Sequence, residues 1–87
     1  MQFTLTTDYA IRTVFYLAKE KQIRNAETLA VNLGIPLSYV PKVTSLLKKA
    51  GIIDAMEGVQ GGYYLIKDPL KIALWDIISV TENTVQI

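Results

Sequence analysis

Hydrophobic residues change their spacing along this chain of 87 residues. Up to residue 50 they recur every three or four positions, which is typical of amphipathic helices. Residues 52–67 instead contain two short apolar runs around the glycine-rich stretch EGVQGG, which is typical of a β-hairpin with a loop longer than two residues. Helical spacing returns after Pro69. The pattern therefore predicts three helices, a hairpin and a fourth helix.

The first predicted helix starts after Thr6 or Thr7, either of which can act as the N-cap, and runs to about residues 19–21. Asp8 lies in its first turn, where the helix dipole favours a negative charge. Phe15 and Tyr16 make the apolar stripe wider than a single core contact requires. Two interpretations of this pair stay open, namely ordinary core residues or part of a dimer surface.

The second predicted helix is short and is bounded by Asn25 as N-cap and by Gly34 as the glycine that ends it. A third helix follows at about residues 37–50, after a tight turn, and the pair predicts a helix-turn-helix. Pro41 must lie in the first turn of the third helix, because proline lacks an N–H and clashes further inside. Either Ser38 is the N-cap and Pro41 the third helical residue, or the helix starts irregularly.

The third helix has two contrasting sides. Its apolar side is predicted to pack on the core and consists of Val40, Val43, Leu46, Leu47 and Ala50. The opposite side, called the polar edge here, consists of Ser38, Lys42, Ser45 and Lys49. A helix with such an edge fits the DNA major groove, which is about 12 Å wide, and Ser and Lys are donors to phosphate. The alternative interpretation is a solvated helix face that carries lysines by chance.

A hairpin directly after a helix-turn-helix is a wing, predicted here at about residues 52–67, and a following helix is predicted at about residues 71–81. Glycines let the wing loop approach a phosphate backbone, although they are also common in purely structural turns. Trp75 is predicted to anchor the core. The predicted fold class is mostly α with a small β-hairpin, a winged helix-turn-helix that forms a single domain over residues 1–87.

Charge and composition change this picture only locally. The net charge is +1, but residues 37–50 contain three lysines and no acid, so the rest of the chain has a net charge of −2. Such a patch matters more for docking on nucleic acid than the total charge does. Hydrophobic residues make up 51% of the chain, which is high for a small monomer and favours an oligomer surface.

The chain has no cysteine and no histidine, which excludes disulfides, thiolate nucleophiles, Cys/His zinc sites and imidazole catalysis. The carboxylate pairs Asp54 with Glu57 and Asp68 with Asp76 lack any further catalytic group beside them, so surface solvation is the better interpretation. We expect no enzyme activity, no cofactor and no metal. The start of the chain has no signal pattern, and no apolar run reaches about 18 residues, so the expected location is cytoplasmic, without membrane contact.

The order of these motifs resembles the N-terminal region of the BadM/Rrf-two family of bacterial winged-helix repressors, which includes the iron–sulfur cluster regulator. The matching stretches span about residues 3–82 and read LTTDYAIRTVFYLA, IPLSYVPKV, LLKKAGII, GGYYL and IALWDII. The resemblance implies a sequence-specific transcriptional regulator, a repressor, that binds a palindromic operator in double-stranded DNA as a homodimer.

By this resemblance, Ser38, Tyr39 and Lys42 lie at or near the major groove, while Thr6 and Tyr9 meet the DNA backbone. The implied wing residues are Gly58, Gln60, Gly61, Gly62 and Tyr63. Ser45 and Lys49 complete the DNA-binding set because they belong to the polar edge.

The chain departs from the family pattern at three points. Glu57 stands where family wings often carry arginine, and Pro41 stands where many members have a polar residue that can read a base. Sensing members also carry three clustered cysteines and a long crossing helix beyond this point, so no iron–sulfur cluster is expected on this chain. The chain is then either a shortened form of a longer regulator or a member with another signal. The alternative function is a winged-helix module that binds a protein instead of DNA.

Overall fold

The computed structural model describes residues 3–82, so the predicted single domain over 1–87 extends beyond the described residues at both ends. Four helices and a two-stranded antiparallel hairpin form a winged helix-turn-helix, as predicted. In chain order the elements are α1 (Leu5–Glu20), α2 (Ala26–Leu33), a 3-10 turn (Leu37–Tyr39), α3 (Val40–Lys49), β1 (Ile53–Met56), β2 (Gly62–Leu65), a second 3-10 turn (Pro69–Lys71) and α4 (Leu74–Thr81).

Helix α1 begins earlier than its sequence suggested. Thr4 is the N-cap, and its hydroxyl oxygen accepts a hydrogen bond from the Thr7 backbone N–H at 3.2 Å. The prediction of Thr6 or Thr7 as the cap is therefore wrong, and both residues lie inside the helix. Three of the four residues from Thr4 to Thr7 are threonines, and each is a possible N-cap. Tertiary contacts decide which of them caps the helix. Lys21 adopts the left-handed conformation and ends the helix as predicted.

A polar cluster ties the start of α1 to the end of α4. A carboxylate oxygen of Glu82 accepts hydrogen bonds from the hydroxyl groups of Thr4, at 2.7 Å, and of Thr7, and from the Thr4 backbone N–H at 3.0 Å. The buried hydroxyl groups of Thr7 and Thr81 lie 2.6 Å apart. The Thr7 and Thr4 hydrogen bonds lower the pKa of Glu82, so the carboxylate is held in its charged form.

Helix α2 has the predicted boundaries. The Asn25 side chain accepts a hydrogen bond from the Thr28 backbone N–H at 2.7 Å, and Gly34 ends the helix with φ +67°. Glycine is favoured at this position because a Cβ is strained at positive φ.

The third helix starts irregularly, which resolves the alternative left open by the sequence. A 3-10 turn precedes α3, Tyr39 is the residue before its first helical residue, and Pro41 lies at the second helical position. Ser38 is not the N-cap, and no side chain caps α3. Because the first backbone N–H groups of a helix have no intrahelical partner, the proline removes no hydrogen bond there.

The core lies between the helices and the base of the hairpin. Its α3 contribution comes from the predicted apolar side of that helix. Its fully buried side chains include Leu17, Leu29, Val40, Val43, Leu47, Ile52 and Ile53.

The hairpin pairs Ile53 with Leu65 and Met56 with Gly62 at its two ends. The connector between α1 and α2 extends this small sheet, because the Arg24 and Tyr63 backbones exchange two hydrogen bonds of 3.0 Å and 2.8 Å. The connector was predicted only as a polar link, and this long-range pairing fixes the wing against the end of α1.

The C-terminal part differs from the prediction in two ways. The helix predicted at 71–81 is a 3-10 turn followed by α4, which begins at Leu74. Asp76 stabilises the start of α4 by accepting hydrogen bonds from the Ala73 N–H at 2.8 Å and from Lys67 at 3.1 Å. Trp75 is 68% exposed, so its assignment as a core anchor is wrong. The side of α4 that faces the core is occupied by Ile77 instead.

Phe15 is 71% exposed, which excludes the core interpretation for it, whereas Tyr16 is half-buried against the core. Within residues 3–82, no helix combines the length and the apolar character needed to cross a membrane.

Candidate nucleic-acid interface

The polar edge of α3 and the preceding turn lies at the surface along its whole length. Ser38, Lys42, Ser45 and Lys49 are all exposed. The opposite side of the same helix is buried in the core. The irregular start at Pro41 therefore does not turn the edge inward, and an uninterrupted row of hydroxyl and ammonium groups faces solvent.

Tyr39 lies at the start of this row and is held by another tyrosine. Its ring meets the ring of Tyr9 from α1 edge to face, with ring centroids 5.1 Å apart and planes at 89°. The Lys42 ammonium lies 5.2 Å from the Tyr39 ring centroid, within the range of a cation–π contact. The structure thus brings together three predicted site residues, Tyr9 from α1, Tyr39 from the 3-10 turn and Lys42 from α3.

Arg12 is a residue of this region that the sequence reasoning missed. Its guanidinium bonds both carboxylate oxygens of Asp8, at 2.9 Å and 3.3 Å, and donates to the Leu33 carbonyl at 3.2 Å. It also lies 5.7 Å from the Tyr9 ring centroid. The spacing of Asp8 and Arg12 at i and i+4 was a usable local signal for their ion pair, but the contact with Leu33 was not readable from sequence.

Thr6 is half-buried and lies in α1 one turn before Tyr9. Residues three apart share one face of a helix. Both predicted α1 site residues therefore lie on the side that adjoins the start of α3.

The wing tip is exposed and carries no cation. Glu57, Gly58, Val59 and Gln60 are exposed, and the Gly61 N–H donates to the Gly58 carbonyl at 3.0 Å to close the turn. Gly58 has φ +111°, a conformation that favours glycine, and a Cβ there would meet open space.

The other two wing glycines are required by the fold. A Cβ on Gly61 would lie 2.0 Å from the Met56 carbonyl oxygen, and one on Gly62 would lie 2.5 Å from the Arg24 carbonyl oxygen. These distances are shorter than any van der Waals contact. Gly61 and Gly62 therefore allow close approaches within this chain, and Tyr63 is half-buried against the core.

An open groove of about 560 Å³ separates α3 from the wing. Ser45 and Lys48 line its α3 side, and Glu57, Gly58 and Gly61 line its wing side. The groove is therefore positive on one wall and negative on the other.

The two carboxylate pairs considered for catalysis have other contacts. Asp68 accepts a hydrogen bond from the Leu70 N–H, and Asp76 stabilises α4, where bonds from Ala73 and Lys67 lower its pKa. Asp54 and Glu57 are exposed. Among residues 3–82, no group of three or more Asp, Glu, His or Cys side chains is arranged to hold a metal ion.

Comparison with known proteins gives one family. Residues 3–87 match the model of the family described as Rrf2, iron-dependent transcriptional regulator. The HTH-type transcriptional regulator NsrR of Shouchella clausii is 32% identical over 89 residues, and the match covers 100% of this chain and 60% of that protein. The HTH-type transcriptional regulator IscR of Klebsiella pneumoniae is 34% identical, and the match covers 98% of this chain and 53% of that protein.

Solved structures agree. CymR (YrzC), the global cysteine regulator of B. subtilis, superimposes with a TM-score of 0.88 at 26% identity, covering 94% of this chain and 65% of that one. T. potens IscR superimposes with a TM-score of 0.86 at 27% identity, covering 100% of this chain and 65% of that one. This chain therefore spans about 60% of the length of the first of these relatives. These relatives are regulators and not enzymes.

Proposed function

This chain belongs to the Rrf2 family of transcriptional regulators, and from that premise we propose that it is a sequence-specific DNA-binding region that inserts α3 into the major groove. The observation that carries the proposal is the exposed polar edge of α3, whose four residues can all donate hydrogen bonds and which has no carboxylate within residues 37–50. Lys42 and Lys49 neutralise phosphates, and Ser38 and Ser45 donate to phosphates or base edges.

The positions on α1 support a contact outside the groove. Tyr9 contacts Tyr39 at the start of the third helix, and Thr6 shares the same face of α1, so a helix in the groove brings both close to the flanking phosphates. Gly58 and Gln60 at the wing tip reach toward the neighbouring stretch of backbone. The other wing residues stabilise the wing from within the chain. The backbones of Gly61 and Gly62 lie close to other backbone segments, and the side chain of Tyr63 packs against the core.

The test is selection of bound sequences from a random duplex pool, followed by fluorescence anisotropy on the selected duplex at several salt concentrations. We expect affinity to fall with salt, with a logarithmic slope of about −0.9 for each phosphate contact. A selected palindrome would support binding by two copies. Absence of enrichment, or binding that does not change with salt, would overturn the proposal.

We also propose that the regulator is a homodimer that acts as a repressor on a palindromic operator. The support is an apolar face on α1 and α4, on which Phe15 is 71% and Leu74 is 51% exposed. An apolar groove of about 220 Å³ runs through this face, lined by Ile11, Val14, Phe15, Ala18, Pro69, Ile72, Leu74 and Ile77. A two-fold dimer would set its α3 helices about 34 Å apart, one turn of DNA.

Sedimentation of the wild-type chain and of Phe15→Glu tests the dimer, because Phe15 lies on this face and is mostly exposed. We expect a dimer at micromolar concentration for the wild type and a monomer for the variant, because a buried carboxylate opposes association. Val31→Glu is the control, since Val31 is 81% exposed on α2. A wild-type chain that stays monomeric at all concentrations would contradict the proposal.

The same apolar face favours the second candidate function, a module that binds another protein. Retention of a protein partner after nuclease treatment, together with no binding to any duplex, would favour this function over DNA binding.

The family description names iron, but the residues present do not fit an iron site. The chain has no cysteine or histidine to supply thiolate or imidazole ligands. We therefore propose no step in which this chain binds iron.

A further inference from the structure

Five residues of α3 are exposed, and one of them has no polar group in its side chain. The exposed residues are Pro41, Lys42, Ser45, Lys48 and Lys49. At about 100° per residue, Ser45 lies at the centre of this face, with Lys42 and Lys49 on one side and Pro41 and Lys48 on the other. In the first two turns of the helix, the middle of the face is therefore formed by two short side chains, Pro41 and Ser45.

Pro41 lies at the end of α3 that meets base pairs in the proposed complex. The N-terminal residues of the second helix of a helix-turn-helix contact base edges in the major groove, and Pro41 is the second residue of α3. Its side chain lines the groove between α3 and the wing together with Ser45. When the lysines at the two edges of the face meet phosphates, the ring of Pro41 faces the base pairs between those phosphates.

The ring of Pro41 is held in a fixed position. The Thr44 side chain is 2% exposed, and its hydroxyl group donates to the Val40 carbonyl at 2.9 Å and to the Pro41 carbonyl at 3.3 Å. The ring closure itself fixes φ. A proline side chain has almost no rotamer freedom to lose, so a contact made by this ring costs little conformational entropy.

The chemistry of the proline ring favours one base over the others. The ring has no hydrogen-bond donor or acceptor, and the backbone nitrogen of proline has no hydrogen. A donor or acceptor of a base that is covered by this ring loses its water partner and gains none. Thymine is the base that presents a methyl group in the major groove, and burying that methyl group against the ring is favourable.

From these observations we infer that Pro41 is a specificity-determining residue, which recognises the C5-methyl group of a thymine in the bound duplex. This inference rests on the proposed function and adds the base that the start of α3 reads. The ring supplies selectivity through van der Waals contact. Lys42 and Lys49 supply the affinity that is common to all sequences.

The test replaces each thymine of the selected duplex, one at a time, by 2′-deoxyuridine, which lacks only the C5-methyl group. We expect a thymine at which the affinity of the wild type falls by about three- to fivefold, as for the loss of one buried methyl group. In Pro41→Ser, the thymine and deoxyuridine duplexes should bind equally at that position, because the ring is absent. Both bases offer the same hydrogen-bonding groups, so a new bond from serine leaves this ratio unchanged. A loss of folded protein lowers both affinities alike.

A second measurement needs no variant. At the same position, the thymine–adenine pair is replaced by a cytosine–guanine pair with and without a methyl group on C5 of cytosine. The wild type should bind the 5-methylcytosine duplex about three- to fivefold more tightly than the cytosine duplex, because the methyl group is restored. Equal binding of these two duplexes would overturn the inference.

The matched control is Leu37→Ala. Leu37 is also apolar and 50% exposed, but it lies in the 3-10 turn before α3. We expect this variant to keep the full ratio between the thymine and deoxyuridine duplexes. If Leu37→Ala loses the ratio and Pro41→Ser keeps it, the methyl group is contacted by Leu37 and the inference is overturned.

Failure of this inference is distinguishable from failure of the proposed function. A selected duplex that has no thymine, or one in which every thymine can be replaced by deoxyuridine without loss, would overturn the role of Pro41 and leave DNA binding by α3 intact. If the wild type enriches no duplex at all, the proposed function is overturned and the inference with it.

Discussion

Helix α3 and the wing tip lie on either side of one groove, and their side chains carry opposite charges. Helix α3 carries Lys42, Lys48 and Lys49 and no acid, whereas wing residues 57–61 carry one acid, Glu57, and no cation. Helix α3 is also anchored by a buried side, and Tyr39 before it is held by α1. By contrast, the side chain of Val59 at the wing tip is fully exposed.

The difference suggests that the two parts of the proposed interface contribute unequally. A helix that is fixed and positively charged can lose little conformational entropy on binding and gain counterion release. A wing tip with a carboxylate meets repulsion from phosphate. The glycines of the wing do not compensate for this repulsion, because Gly61 and Gly62 are required for packing within the chain.

The largest effect is expected for Gly61→Ala. Its Cβ would lie 2.0 Å from the Met56 carbonyl oxygen, so the backbone of the wing must shift. We expect the free energy of unfolding to fall by about 2–3 kcal/mol, measured by urea denaturation. Val59→Ala is the control and should change it by less than about 0.5 kcal/mol, because the side chain is fully exposed. Normal stability of Gly61→Ala with lost DNA binding would instead assign this glycine to the DNA contact.

This prediction depends on the backbone conformation of the wing loop, which the glycine-rich pattern did not specify. Local signals were sufficient where a residue acts on its own helix, as Asn25 and Gly34 do at the two ends of α2. They failed where the partner is far along the chain, as for the pairing of Arg24 with Tyr63. A glycine-rich loop has the same sequence whether its glycines approach DNA or their own backbone.

Burial of aromatic residues shows the same limit. Helical spacing indicates which residues share a face, but it does not indicate which face meets the core when several are apolar. The sequence predicted Trp75 as a core residue and left a core position open for Phe15, and both side chains are mostly exposed. In α3, only one side is apolar, so the position of the polar edge was predictable from the sequence.

The second prediction compares two double variants. One combines Lys42→Ala and Lys49→Ala in α3, and the other combines Val59→Ala and Gln60→Ala in the wing. The α3 variant should weaken operator binding by roughly 50-fold and reduce the magnitude of the salt slope by about 1.8, since two phosphate contacts are lost. The wing variant should weaken binding by less than about threefold. Anisotropy titrations at four salt concentrations measure both quantities.

Lys19→Ala, in the last turn of α1, controls for the general loss of positive charge. Ten residues of helix separate it from Tyr9, which is about 15 Å. A wing variant that lost as much affinity as the α3 variant would show that the two regions contribute equally, and the comparison would then be wrong.

The smallest effect is expected for Glu57→Gln, which removes the negative charge of the wing tip and keeps the size of the side chain. If this tip lies near phosphate, loss of the repulsion should raise DNA affinity by about two- to threefold at low salt and by less at high salt, because screening weakens the interaction of exposed charges. The matched control is Asp54→Asn, which removes an exposed carboxylate at the base of the same hairpin. Equal gains in both variants would indicate a general effect of net charge. Weaker binding by Glu57→Gln alone would mean that the carboxylate accepts a hydrogen bond from DNA, for instance from a cytosine amino group, and that the wing reads sequence despite its charge.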